Sequence, residues 1–295
     1  MIQVLANGLV NGAILALVAI SLTIIFSILR VPHFGLGGVF VWGAFFAYFG
    51  VTHFGLNVWV AFLMSALSMA IVGVAIEKLA FSRLRAATED AMFVSAIGVL
   101  LAMENGALLL WGSESRSIPV PDILDSRLAI PGVLYMPSTR LLIFAVTAAA
   151  FIGLHFYVRG TRMGKAMRAV AQDRVAARLL GVPIDRVASY TFALGSGMAG
   201  LGGGLVGAAF SFSFDMGSVT ILKAFVVVVL GGLGSVGGAI VGGFLLGLVD
   251  SLTLTYVTSQ FKQLVAFSLL ILVLVLRPSG LFGQRALRAD VQAGP

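Results

Sequence analysis

The sequence has no cysteine. That excludes disulfides, thiolate nucleophiles and Cys-ligated zinc or iron–sulfur centres, and it leaves the redox compartment unread. Charge is also scarce. Charged residues are 11% of 295 positions and hydrophobic residues 59%, against roughly 25% and 45–50% in soluble globular chains. A soluble fold of this size would lack the polar side chains to cover its surface. The same composition excludes a disordered chain and a nucleic-acid binder. The net charge of +7 and pI near 10.2 read instead as the Lys/Arg bias of loops between membrane spans. With a mean hydropathy of +1.06, the composition predicts an all-α, polytopic integral membrane bundle. No basic region precedes the first apolar stretch and no small-residue cleavage site follows it, so this stretch is expected to be a retained span rather than a signal peptide.

Crossing a hydrocarbon core of about 30 Å takes about 20 apolar residues per helix. Apolar runs lie at 4–29, 35–52, 58–77, 91–112, 141–158, 188–212, 219–249 and 261–276, which predicts about seven to eight spans by that length rule. Their length and continuity favour helices over the short alternating strands of a membrane barrel. The 159–187 loop carries Arg159, Arg162, Lys165, Arg168, Arg174, Arg178 and Arg186 against Asp173 and Asp185, so it is expected on the cytoplasmic side. The 113–140 loop then lies outside.

Glycine is what the chain has in excess: 36 residues, where about 7% of a chain is usual. Gly200/Gly204 and Gly234/Gly238/Gly242 stand four apart, which places smooth grooves on one helix face for close packing or for sliding and hinge surfaces. The cluster Gly231–Gly238 also offers a reason for the 219–249 stretch to break and return to the outer face. A re-entrant or broken helix of that kind puts the tail, with Arg277, Arg285 and Arg288, on the cytoplasmic side. Gly202-x-Gly204-x-x-Gly207 and Gly232-x-Gly234-x-x-Gly237 match the spacing of a dinucleotide fingerprint but follow no strand of a soluble βαβ unit, so they are accidents of glycine-rich helices. Gly164-Lys165 is followed by Ala166 and lacks the upstream glycine of a Walker A loop, so the chain is not expected to hydrolyse ATP.

Residues 161–180, TRMGKAMRAVAQDRVAARLL, are rich in strong helix formers. Gly181 and Pro183 then supply a C-cap and a stop. Met163, Ala166, Met167 and Val170 can share one face beside Arg162, Lys165 and Arg168. Such a helix either lies on anionic lipid or docks a soluble partner.

The run GKAMRAVAQDRVAARLLGV (164–182) resembles the coupling-loop motif of ABC importer permeases in their branched-chain amino-acid form. NGLVNGAILALVAISLTIIFSIL (7–29), KAFVVVVLGGLGSVGGAIVGGFLLGL (223–248) and LRPSGLFG (276–283) agree in the same order. The resemblance covers nearly the whole chain. It implies a type II-like permease forming a single transmembrane domain over 1–295, in a bacterial inner (plasma) membrane. It further implies a heterodimer with a homologous sister permease and two cytosolic ABC ATPases that hold the ATP and Mg. A periplasmic or lipid-tethered binding protein would deliver the ligand, with no cofactor, metal or catalytic residue in this chain. Transferred onto this sequence, the ATPase-docking element is 164–181, with Gly164, Lys165, Arg168, Ala169, Arg174 and Gly181 its marked positions. Where the family reads Asn-Phe-Ala-His-Gly after the first span, this chain reads His33-Phe34-Gly35-Leu36-Gly37. That departure bears on substrate, because relatives in the wider family carry urea, short-chain amides and other small solutes.

Polar groups at membrane depth complete the inventory. Glu104, beside Asn105, is expected to face protein or water, since a bare charge at the bilayer centre costs about 2.5–3.5 kcal/mol on insertion scales. It has two readings, a pathway group or an interhelical hydrogen bond. Asn7 and Asn11 share a face at i, i+4 and join His33, Phe34, Glu104 and Asn105 as pathway candidates. Ser21 and Thr23 more commonly bond back to helix carbonyls. Lys223, Asp215 and Asp250 are expected near outer span ends, where snorkelling relieves them. No Gly-x-Ser-x-Gly, His-Glu-x-x-His or paired intramembrane carboxylates point to an enzyme. A secondary transporter or channel fits the hydropathy equally, but has no need of the basic helix 161–181.

Overall fold

A computed structural model describes residues 2–84, 88–120, 127–130, 134–277 and 279–282. The expected external positions 121–126 and the tail arginines Arg285 and Arg288 lie outside the described residues. Helices α1 (Ile2–Leu29), α2 (Leu36–Thr52), α3 (Val58–Ile76) and α4 (Glu89–Trp111) are followed by a two-stranded antiparallel hairpin, β1 (Arg127–Ile130) and β2 (Leu134–Pro137). Then come α5 (Ser138–Gly160), α6 (Arg162–Gln172), α7 (Arg174–Leu179), α8 (Ile184–Ala209), α9 (Met216–Gly231), α10 (Val236–Tyr256) and α11 (Lys262–Leu276). Among the described residues, six helices are long and apolar enough to cross a membrane, and α2, α9 and α11 are shorter apolar helices. The predicted runs fall on these helices with ends displaced by a few residues.

α1 is buried along most of its length. α8, α9 and α10 close around it, whereas α3, α4, α5 and α11 keep outward stripes such as Leu63, Leu67 and Ile71 on α3. In lipid those stripes need no cover. Lipid tails are as apolar as leucine, so helices associate through close packing rather than hydrophobic exclusion. Glycine permits that packing here. A β-carbon built on Gly203 of α8 would lie 1.9 Å from the Phe40 carbonyl oxygen of α2, and one on Gly247 of α10 would lie 2.3 Å from the Gly12 nitrogen of α1. Of the predicted packing glycines, Gly200 presses on Gly43 and Met69, Gly204 on Phe62 and Ala47, Gly238 on Gly231, and Gly242 on Val227. Gly234 differs: a β-carbon there would meet only Ser27 Oγ, at 3.9 Å, and its φ is +85° in the turn after α9.

The 219–249 stretch does break. α9 and α10 run antiparallel, with Gly231 against Gly238 and Gly242 against Val227. Gly232 (φ +100°) and Gly234 reverse the chain, and Ser235 caps α10 by accepting the Gly238 amide at 3.0 Å. Near the C-terminus, Leu281 and Phe282 pack on this turn: their amides donate to the Leu230 and Gly231 carbonyls at 2.8 and 3.0 Å. At the opposite end, Trp42, Phe45, Phe49, Trp111 and Phe212 form an aromatic cluster. Arg116 lies over it, 5.4 Å from the Tyr48 ring centroid, and donates to the Trp111 carbonyl at 2.8 Å.

Two glycine substitutions separate packing from propensity. Gly203→Ala is expected to cost roughly 1–3 kcal/mol through overpacking. Gly153→Ala on α5 has nothing within 4 Å of the added methyl and is expected to gain about 0.5–1 kcal/mol. Thermal unfolding of the detergent-purified chain reads both; equal midpoints would contradict the packing role.

Candidate functional site

The basic loop folds as two helices, not as the one continuous helix expected over 161–180. Asp173 is the reason. It is extended (φ −149°, ψ 111°), its amide closes α6 on the Ala169 carbonyl, and its carboxylate accepts the Val175 and Ala176 amides at 2.8 and 3.0 Å to open α7. Aspartate competes for backbone donors this way and so favours caps over helix interiors. Those amide bonds, from Ala176 first and then Val175, hold the exposed carboxyl below its ordinary range. The cap is therefore present at neutral pH and is lost only as pH falls through that lowered value. Thr161 caps α6, accepting the Gly164 amide at 2.9 Å. Gly181 (φ +80°) closes α7, with the Val182 amide donating to the Ala177 carbonyl at 3.0 Å, as predicted for the C-cap.

The apolar face of α6 is the predicted one, and it is turned inward. Gly164, Met167 and Val170 are buried, and Met163, Ala166 and Ala169 half-buried, against α5, α8 and α1. Gly164 is needed for that contact, since a β-carbon there would lie 2.3 Å from the Val158 carbonyl oxygen. Arg168 donates to the same carbonyl, satisfying an orphan acceptor at the C-terminal end of α5, where a cation also suits the helix dipole. Lys165 is exposed and Arg174 half-buried. α7 carries what sequence reasoning missed: Val175, Leu179 and Leu180 are 70%, 84% and 83% exposed, beside Arg174 and Arg178. Three large apolar side chains standing out among arginines mark an interaction surface. The signal was present in VAARLL, but one continuous helix offered no way to assign it to a second face.

The six pathway candidates do not converge. Asn7 accepts from Arg140 of α5; Asn11, one turn on, is half-buried. His33 sits in an aromatic cage between Phe81 and Phe192, at 4.7 and 5.2 Å between ring centroids. Phe34 meets Phe93 of α4 and Phe225 of α9. Asn105 faces outward and donates to its own helix at the Leu101 carbonyl, 2.8 Å away. Ser21 and Thr23 also bond back, to Leu17 and Ala19.

Glu104 resolves to a helix cap. Its Oε1 accepts the Ser218 amide at 2.7 Å, in the first turn of α9, where amides lack intrahelical partners and the dipole favours an anion. Gly217 leaves room for it and also meets Gly37 of α2. Glu104 thereby ties α4 to α9 at depth. Lys223 and Asp250 do not snorkel; they pair with each other across the α9–α10 hairpin. Glu77, buried where α3 widens into a π turn (Glu77–Phe81), accepts from the Ser189 hydroxyl of α8 at 2.8 Å. Among the described residues no group of three metal-ligating side chains forms.

The sequence profile described as "Branched-chain amino acid transport system / permease component" matches residues 4–274. The chain is 32% identical to the high-affinity branched-chain amino acid transport system permease protein BraD of Pseudomonas aeruginosa, over 96% of each chain. It is 31% identical to LivH of Escherichia coli, again over 96% of each. To LivM of Escherichia coli, named as a permease protein of the same kind of system, it is 29% identical over 84% of this chain and 62% of that one.

Glu104→Ala is expected to cost about 1–2 kcal/mol, the usual value of a lost N-cap, and Ser218→Ala, which keeps the amide donor, much less. Lys223→Met alone leaves Asp250 buried and unpaired and is expected to destabilise by about 3–5 kcal/mol, whereas Lys223→Met with Asp250→Leu recovers most of that. Thermal or denaturant unfolding of the four variants reads this. A double variant as unstable as the single one would refute the pairing.

Proposed function

This chain belongs to the branched-chain amino acid transport permease family, and on that footing we propose that it is the membrane-spanning subunit of an ATP-driven importer, moving branched-chain amino acids by alternating access. It works beside a homologous sister permease, a pairing that the similarity to both LivH and LivM supports. Two cytosolic ATPases hold the ATP and Mg, and a periplasmic or lipid-tethered binding protein presents the ligand. The 1–295 chain acts as one transmembrane domain in the bacterial inner membrane, with α6, α7 and the C-terminal run on the cytoplasmic side.

The observation that carries the ATP-driven reading is the division of labour between α6 and α7. α6 spends its apolar face on the bundle through Met167 and Val170, anchored by Gly164, Arg168 and Ala169. α7 offers Val175, Leu179 and Leu180 to a partner, with Lys165 and Arg174 beside it and Gly181 ending it. Apolar anchors with basic surroundings suit a groove on a soluble subunit, the charges steering and the anchors holding. A carrier driven by protons or sodium has no use for such an outward element. Relatives that move urea or short amides keep the same machinery, so the substrate is read from uptake. Asn7, Asn11, His33, Phe34, Glu104 and Asn105 do not form one binding cluster in this chain. Selectivity therefore falls mostly to the binding protein and to the surface shared with the sister permease.

Leu179→Asp with Leu180→Asp is expected to weaken recovery of the ATPases with the permease by about thirtyfold or more, the size of a lost hot spot. ATP-driven leucine uptake into inside-defined vesicles should fall with it, while the amount of inserted permease is unchanged. Leucine uptake that persists without any ATPase would overturn the importer reading. Uptake of urea or amides in preference to leucine would replace the substrate.

A further inference from the structure

Below the stacked rings of Phe144 and Phe244, 6.3 Å apart, α5 and α10 separate. The gap opens into a cavity of ≈ 540 Å³ floored by α1 and closed at its far end by α6, a volume typical of small-ligand sites. Its walls are apolar: Ile20, Ile24 and Ile28 of α1, Phe151 and Leu154 of α5, and Ile240 of α10. Ile20 lies seven residues above Ser27, or about 10 Å of helix rise. At the α6 end the lining changes to His155, Arg159 and Arg168, and no carboxylate lines this cavity. Phe151, Leu154, His155, Val158 and Arg159 recur at i, i+3, i+4, i+7 and i+8, so one face of α5 supplies both the apolar wall and the basic rim. Arg168 is held at that rim by its bond to the Val158 carbonyl, which leaves other guanidinium donors unspent. Arg159 and His155 are exposed, and among the described residues no ion pair joins His155, Arg159 or Arg168 to a protein carboxylate.

Beside the gap, Ile152 and Phe156 of α5 stand 57% and 69% exposed, an outward apolar face of the kind that lipid covers. We propose that this cavity binds an anionic phospholipid from the leaflet on the α6 side, one acyl chain entering between the half-buried Phe151 of α5 and Ile240 of α10 over the α1 floor and the phosphate meeting Arg159 and Arg168. Basic pockets between helices on the inner face are suited to acidic headgroups, and charge complementarity is what selects the lipid here. The occupant wedges between α1, α5 and α6, so lipid composition would bear on the element that α6 anchors.

The test uses the full chain reconstituted in phosphatidylethanolamine vesicles containing a minor share of phosphatidylglycerol, with trace photoreactive phosphatidylglycerol or phosphatidylethanolamine bearing a diazirine in the acyl chain. The expected result is cross-linking concentrated on the α1, α5 and α10 residues named above, stronger for phosphatidylglycerol. Arg159→Gln should lower the phosphatidylglycerol signal about fivefold, the contribution of one basic residue near a membrane surface. Excess inorganic phosphate should leave it unchanged; competition by phosphate would mean a free-anion site and overturn the lipid assignment. Equal labelling by both lipids, label spread evenly over the outward faces of α3, α4 and α11, or no change in Arg159→Gln would also overturn it. Should Arg159→Gln fail to fold, the comparison of the two lipids on the unmodified chain decides alone.

Discussion

Backbone contact between α1 and α10, and between α2 and α8, is the constraint on which the remaining structure depends. In a bilayer there is no water to expel from between helices, so attraction falls off as soon as side chains hold the backbones apart. Gly12 against Gly247 and Gly203 against Phe40 bring the axes close enough for α1 to be enclosed. Enclosing α1 fixes the other helices' duties. α3, α4, α5 and α11 become the outer shell and carry their leucines and isoleucines toward lipid. Charges are then admitted at depth only where a backbone terminus or an opposite charge receives them: Glu104 at the start of α9, and Lys223 beside Asp250. α9 has 16 residues, about 24 Å at the α-helical rise, too short to need both membrane surfaces. Its deep N-terminus is what gives Glu104 something to cap.

The chain's one-dimensional patterns carried the fold a long way and the site only part of the way. Apolar runs placed the helices because length and hydropathy are properties of contiguous residues. The break at Gly231–Gly238 was readable because two residues of positive φ, Gly232 and Gly234, sit in it. The inward face of α6 was readable from its period. Pairings between distant residues were not. Nothing local joins Glu104 to Ser218 or Glu77 to Ser189, and listing polar residues by depth put Glu104 and Asn105 in one group although adjacent residues on a helix point about 100° apart. Lys223 and Asp250 were recoverable in principle: folding the chain at 232–235 sets them near each other, eight residues before Gly231 and twelve after Gly238. The split at Asp173 was missed because helix propensity, summed over a window, outweighs a single capping residue until the carboxylate is seen to hold two amides.

The geometry of the α5–α6 junction bears on how motion at α7 would reach the spans. Arg168 and Gly164 fasten α6 to the last carbonyls of α5 by a charge-assisted bond and by direct backbone approach. Met167 and Val170 seat it on the bundle, and unseating them would cost about 1.5–3 kcal/mol each. α6 is therefore fastened to the end of α5 rather than loose. On the other side the chain passes from α7 to α8 through Gly181, Val182 and Pro183, where Gly181 has open space around it. On the proposed coupling role, a force applied at Leu179 and Leu180 would reach α5 through the α5–α6 junction, beside the place where α5 and α10 are parted beneath Phe144 and Phe244.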